Sequence, residues 1–120
     1  MLEQDSSINW AGIISRNGII LGQEARKGAD LLLSEEENEE YAASAISRHK
    51  TRLKYEPKIG RLLYAFGRYE KTSRATIPMN GGHYLLVIFD THERNFDYII
   101  AEKIIPLVAK SAGKFEAELL

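Results

Sequence analysis

The chain has no cysteine, only three prolines, one tryptophan and almost no net charge. The missing cysteine excludes disulfides, thiolate nucleophiles and Cys-ligated metal, and it fits a reducing cytoplasm. A formal charge of −1 excludes a global field that would draw the chain to nucleic acid or an anionic membrane. Long apolar runs are absent as well. Tyr84–Phe89 falls far short of the about 20 residues that a membrane-spanning helix needs. The opening MLEQDSSINW carries acids and no apolar h-region, which argues against a secretory signal. Neither G-x-x-x-x-G-K-[ST] nor G-x-G-x-x-G occurs, so a glycine cradle for a nucleotide has little support. What is present is ordinary globular material: 120 residues, 44% apolar and 28% charged. That is enough for one domain over 1–120, and the pattern places its core over about 8–108 with a C-terminal tail over 109–120.

The most informative stretch is INWAGIISRNGIIL, Ile8–Leu21. Ile13 and Ile14 precede an Asn17-Gly18 turn, and Ile19 and Ile20 follow it. Asn-Gly between β-branched residues predicts a hairpin with a type I′ turn, which needs positive φ at both central positions. Alternation puts Ile8, Trp10, Gly12 and Ile14 on one face, and Asn9, Ala11, Ile13 and Ser15 on the other. Apolar residues on both faces predict a strand covered on both sides. The second strand is expected to end near Gly22, with Gln23–Asp30 as a connection. Residues 1–7 read as a frayed lead.

Ser34-Glu35-Glu36-Glu37 is a capping box, and the five glutamates of 35–40 sit where the helix dipole favours them. Ala42, Ala45, Ile46, His49 and Leu53 then recur at helical spacing. Pro57 predicts an end near Tyr55. Strands follow at Arg61–Glu70, Ser73–Met79 and His83–Asp90, with turns at Lys71-Thr72 and Asn80-Gly81-Gly82. HYLLVIFD is the most apolar strand and should be central. The last helix carries Phe96, Ile99, Ile100, Lys103, Ile104, Leu107 and Val108 in register, and Pro106 should kink or split it. The sequence therefore predicts an α/β (α+β) fold: a five-stranded antiparallel sheet in the order β-β-α-β-β-β-α, with helices on both faces.

Charge is unevenly spread. Residues 1–47 hold nine acids and three bases, whereas 48–74 hold nine bases and two acids, a local +7. A solvated face is the first reading of that basic segment. An acidic protein partner is the second. Nucleic acid is the third and is disfavoured, although Tyr55, Tyr64, Phe66 and Tyr69 interleave with the bases.

No constellation declares a reaction, so no catalytic residue, metal ligand or cofactor is assigned. His49, His83 and His92 form no chelating repeat. Asp90-Thr91-His92-Glu93 reads as a helix cap rather than a metal site. His49 lies on the apolar stripe, as a packed or interface histidine. Ser111 has no histidine placed by any motif, so a hydrolytic triad has no support.

Meander topology makes Arg61–Glu70 an edge strand. An edge bearing Leu62, Leu63, Tyr64 and Phe66 is rarely left open, and pairing with its twin in a two-fold dimer would satisfy it. Small residues Ala42, Ala43 and Ala45 permit close helix approach, either to the chain's own sheet or, for Ala42 and Ala45 with His49, to a second copy. Tyr41, Arg48 and Arg52 lie on a flank of that helix, and interfaces are enriched in Tyr and Arg; they are assigned to a partner surface.

WAGIISRNGIIL, ATIPMNGGHYLLVIFD and the small residues Ala42-Ala43 and Ala45 resemble the Roadblock dynein light-chain family, with its profilin-like or longin-like sheet. The resemblance covers about Ile8 to Val108. It implies a non-enzymatic, cytoplasmic homodimer that serves as an adaptor or regulates a small GTPase. Two other classes remain from the residues. One is a profilin-like or PAS-like sensor with a small ligand between sheet and helix. The other is a small enzyme whose cleft gathers His83, His92 and Asp90.

Overall fold

The computed structural model describes residues 1–90 and 93–111. Its sheet holds β1 (Ile8–Ile14), β2 (Ile20–Ala25), β3 (Ala65–Arg68), β4 (Ser73–Pro78) and β5 (Tyr84–Phe89). The spatial order is β2-β1-β5-β4-β3, all antiparallel. The most apolar strand is central, and β3 is an edge, as the meander predicts. Every residue of β5 is buried.

Helix α1 (Glu35–Arg52) starts at the expected capping box: the Glu37 amide donates to Ser34 Oγ at 3.1 Å, and the Ser34 amide donates to Glu37 Oε1 at 2.9 Å. Its Ala42 and Ile46 pack on Trp10, Ile14, Tyr84, Leu86 and Ile88. On the other face Ile99, Ile100 and Ile104 of the C-terminal helix pack on Ile8, Ala11, Ile13, Ala75, Ile77, Leu85, Val87 and Phe89. Helices therefore cover both faces.

Several details depart from the pattern. Asn17 does not have positive φ; Gly18 alone does, at 83°. The Gly18 amide donates to the Ser15 carbonyl, and the pairing shifts register between Ile13 and Ile14. The connection is thus a turn of the type I-plus-bulge kind, not type I′. A second irregularity between Ile8 and Trp10 flips Ile8 onto the C-terminal-helix face, away from Trp10. β2 runs on to Ala25, so Gln23–Ala25 is strand rather than connection. The first residues are not frayed: Arg26 donates to the carbonyls of Leu2, Asp5 and Ile8, and Lys103 pairs with Asp5 at 3.0 Å.

Pro57 does not act as a stop. α1 passes through a 3-10 turn (Leu53–Tyr55) into α2 (Glu56–Ile59), whose second position takes Pro57, where no amide partner is needed. Gly60, at φ 90°, ends the run. Leu53 leaves the stripe and is 43% exposed. In the C-terminal helix, α3 (Phe96–Tyr98) continues through a π segment (Ile99–Ile104) into α4 (Ile105–Ser111). The Ile105 amide reaches back to Ile100 O, so the wider turn absorbs Pro106 without a break. β3 is shorter than expected, four residues. Thr91 and His92 of the expected cap, and 112–120 of the expected tail, lie outside the described residues.

Candidate functional site

Helix α1 does not cover the whole sheet. Its buried stripe rests on β1 and β5, two strands from the β3 edge. Register then decides what lies beside it. Arg74 and Thr76 pair with Ile88 and Leu86, and so face α1. Gly67 and Ala65 pair with Arg74 and Thr76, so they share that face. Two of these four positions carry almost no side chain. The result is a trough of about 350 Å³ between the flank of α1 and the sheet edge.

Tyr41, Arg48 and Arg52 line this trough from the helix, and Leu62, Tyr64 and Phe66 from the β3 side. The residues assigned above to a partner surface and to an edge-strand interface thus converge on one place. Tyr64 and Phe66 also pack toward the C-terminal helix, Phe66 stacking on Phe96 with ring centroids 3.7 Å apart. Leu63 points outward and is 58% exposed. Ala42, Ala45 and His49, assigned above to a dimer interface, are buried within the single chain. The small size of Ala42 lets α1 sit close on Trp10, Ile14 and Leu86 of its own sheet, and His49 meets the Tyr84 ring edge-on.

The sequence reading missed the centre of the trough. Arg74 is 2% exposed, on a strand covered on both faces. Its Nη1 donates to Asn38 Oδ1 at 2.7 Å, and its guanidinium carbon lies 4.4 Å from the Tyr41 ring centroid. Nη2 is buried with no hydrogen-bond partner. Burial lowers the Arg74 pKa, while Tyr41 and Tyr69 oppose that shift. Among the described residues no carboxylate pairs with it. A second Arg, Arg48, sits 5.4 Å from the same Tyr41 ring. The Tyr41 and Tyr69 hydroxyls share a hydrogen bond of 3.3 Å, and burial, then that bond, push the Tyr41 pKa up to about 12. Two signals pointed here: Arg in a doubly covered strand is anomalous, and Asn38 lies four residues before Ala42 on the buried stripe.

Beyond the Tyr41–Tyr69 pair the trough opens into a wider groove of about 480 Å³, lined by Leu32, Leu33 and again Arg74, with Glu70 and Lys71 of the β3–β4 turn at its side. Leu32 has φ 70°, and the Leu33 amide donates to Leu31 O at 2.8 Å, a strained γ-turn that leaves Leu32 48% exposed.

The other classes find less. His83 and Asp90 flank opposite ends of β5, about 20 Å apart at strand rise; His92 lies outside the described residues. Among the described residues no group of three or more His, Asp and Glu could hold a metal ion, and no helix is long and apolar enough to cross a membrane. Between sheet and α1 the side chains of Trp10, Ile14, Leu86 and Ile88 are buried, so the openings are grooves at the helix flank.

No family model matches the sequence, and no curated protein matches it either. Solved structures do match in shape. MglB from Myxococcus xanthus superposes with a TM-score of 0.69 at 13% identity, over 97% of this chain and 89% of that one. A Roadblock/LC7 domain from Streptomyces avermitilis gives 0.67 at 12% identity, over 92% and 87%. An MglB described as having a tetrameric arrangement gives 0.65 at 14% identity, over 92% and 83%. At these identities the likeness is one of shape: the chain has the Roadblock/LC7 fold.

Proposed function

We propose that the protein is a non-enzymatic binding module, an adaptor or regulator, that self-associates through β3 and offers the adjoining trough to a partner protein. The observation that carries this reading is the β3 edge: a strand with one unpaired side, flanked by exposed Leu63 and by a trough bearing Arg48, Arg52 and Tyr41. Antiparallel pairing of two β3 strands puts the two-fold axis perpendicular to the sheet. Both α1 helices then stay on the same side, and the two troughs adjoin as one composite basic surface. The tetrameric arrangement of one MglB supports self-association of this fold. The Roadblock resemblance supports a small GTPase as the partner class.

Replacing Arg48 and Arg52 by Glu tests the surface. Both side chains are exposed, so the variant should stay folded and keep its oligomeric state, while binding to a small GTPase from the same source weakens and loses salt dependence. Unchanged binding would move the partner surface elsewhere.

A further inference from the structure

We propose that the trough seats a carboxylate side chain from an acidic, apolar-flanked segment of a bound protein, with Arg74 as its anchor. This deepens the reading above by naming the partner's chemistry. It does not depend on self-association, because every group it uses lies on one chain.

A guanidinium is a fork of five donors that matches a carboxylate in two parallel hydrogen bonds. At Arg74 one arm of that fork is fixed by Asn38 and the other, Nη2, is buried without an acceptor. An unpaired buried donor on a charged group is costly, and natural cores rarely keep one without a use. The Tyr41 ring and the Asn38 carbonyl hold the guanidinium in place without neutralising it. Arg48 and Arg52 stand at the rim, so the approach to Arg74 from this side is positive.

Tyr69 is the cover. It is 51% exposed, sits in the β3–β4 turn, and is tied to Tyr41 by a long 3.3 Å hydrogen bond. Displacing it opens the route from both grooves to Nη2. The second groove supplies the apolar half of the recognition. Leu32 is held outward by a strained backbone, next to Leu33 and the Tyr69 ring, where a leucine-sized side chain beside the carboxylate would pack. An acid next to an apolar residue, in an extended segment, meets both demands. Inorganic phosphate would satisfy the guanidinium but leave the leucines bare.

The test is an NMR titration of the 15N-labelled full chain with the capped peptide Gly-Leu-Glu-Leu-Glu-Gly, its Gln-for-Glu counterpart, and inorganic phosphate. The account expects the Glu peptide to shift the Arg74 Nε–H and the Leu32 amide together, and the Gln peptide to bind about tenfold or more weakly. Arg74→Met should abolish the difference between the peptides. If that variant does not fold, the Arg74 Nε–H of the unaltered chain still decides. Equal binding of both peptides, an unmoved Arg74 signal, or the same shifts from phosphate alone would overturn the proposal. A dimer that ignores the Glu peptide would sink this anchor and leave self-association standing; a monomer that binds it would do the reverse.

Discussion

The two halves of the sheet are built differently. Over β1 and β5, α1 meets Trp10, Ile14, Tyr84, Leu86 and Ile88, and the space is filled. Over β4 and β3, the same face presents Arg74, Thr76, Ala65 and Gly67, and a trough remains. One sheet thus carries a half that stabilises the fold and a half that leaves surface and a charge unspent. Close packing in the first half makes it intolerant of added volume. The second should tolerate change in stability while losing function.

Glycines give the sharpest contrast. A Cβ on Gly18 would lie 2.7 Å from the Ala43 Cα, at φ 83°. Gly18→Val should therefore cost about 3 kcal/mol or prevent folding, read by thermal or urea unfolding. Gly12→Ala in the filled half runs into the Trp10 ring and should cost about 2 kcal/mol. Gly67→Ala, on the trough floor, meets only Tyr69 and the Tyr41 hydroxyl at 3.3 and 3.4 Å, and should change stability by less than about 1 kcal/mol. A large loss at Gly67, or none at Gly12, would erase the distinction.

Sequence patterning captured the filled half better than the open one. The capping box at Ser34, the central HYLLVIFD strand and the β3 edge follow from local chemistry and alternation, which act over a few residues. Ile8 was misplaced because a single irregularity in β1 reverses every side chain beyond it. Pro57 reads as a stop because its missing amide costs little only once a new helix start is known, and the π turn beside Pro106 has no local mark in the sequence. Arg74 escaped because its meaning comes from Asn38 and Tyr41, 36 residues away in the first case. Ala42, Ala45 and His49 look alike whether a helix packs on its own sheet or another chain.

Replacing Arg74 with Met and Asn38 with Leu together should be neutral or stabilising by about 1 kcal/mol, because a buried ionic group is exchanged for apolar contact. Strong destabilisation in unfolding experiments would make the pair structural rather than reserved for binding. His49 sets a smaller effect. Burial holds its pKa below the ordinary 6.5, with Glu56 opposing and Arg52 assisting. Stability is therefore full above about pH 6.5 and declines as pH falls through that value toward the depressed folded-state pKa, since the unfolded chain takes the proton first. His49→Phe should flatten that part of a stability–pH curve.

The β3 edge itself can be read directly. Hydrogen–deuterium exchange of the Ala65–Arg68 amides, compared between about 1 µM and about 100 µM protein across a typical range of dissociation constants, reports pairing of that strand with a second copy. The account predicts slower exchange in β3 at the higher concentration, unchanged exchange in β2 at the opposite edge, and loss of the effect in Leu63→Glu. Concentration-independent exchange in β3 would contradict self-association through this edge.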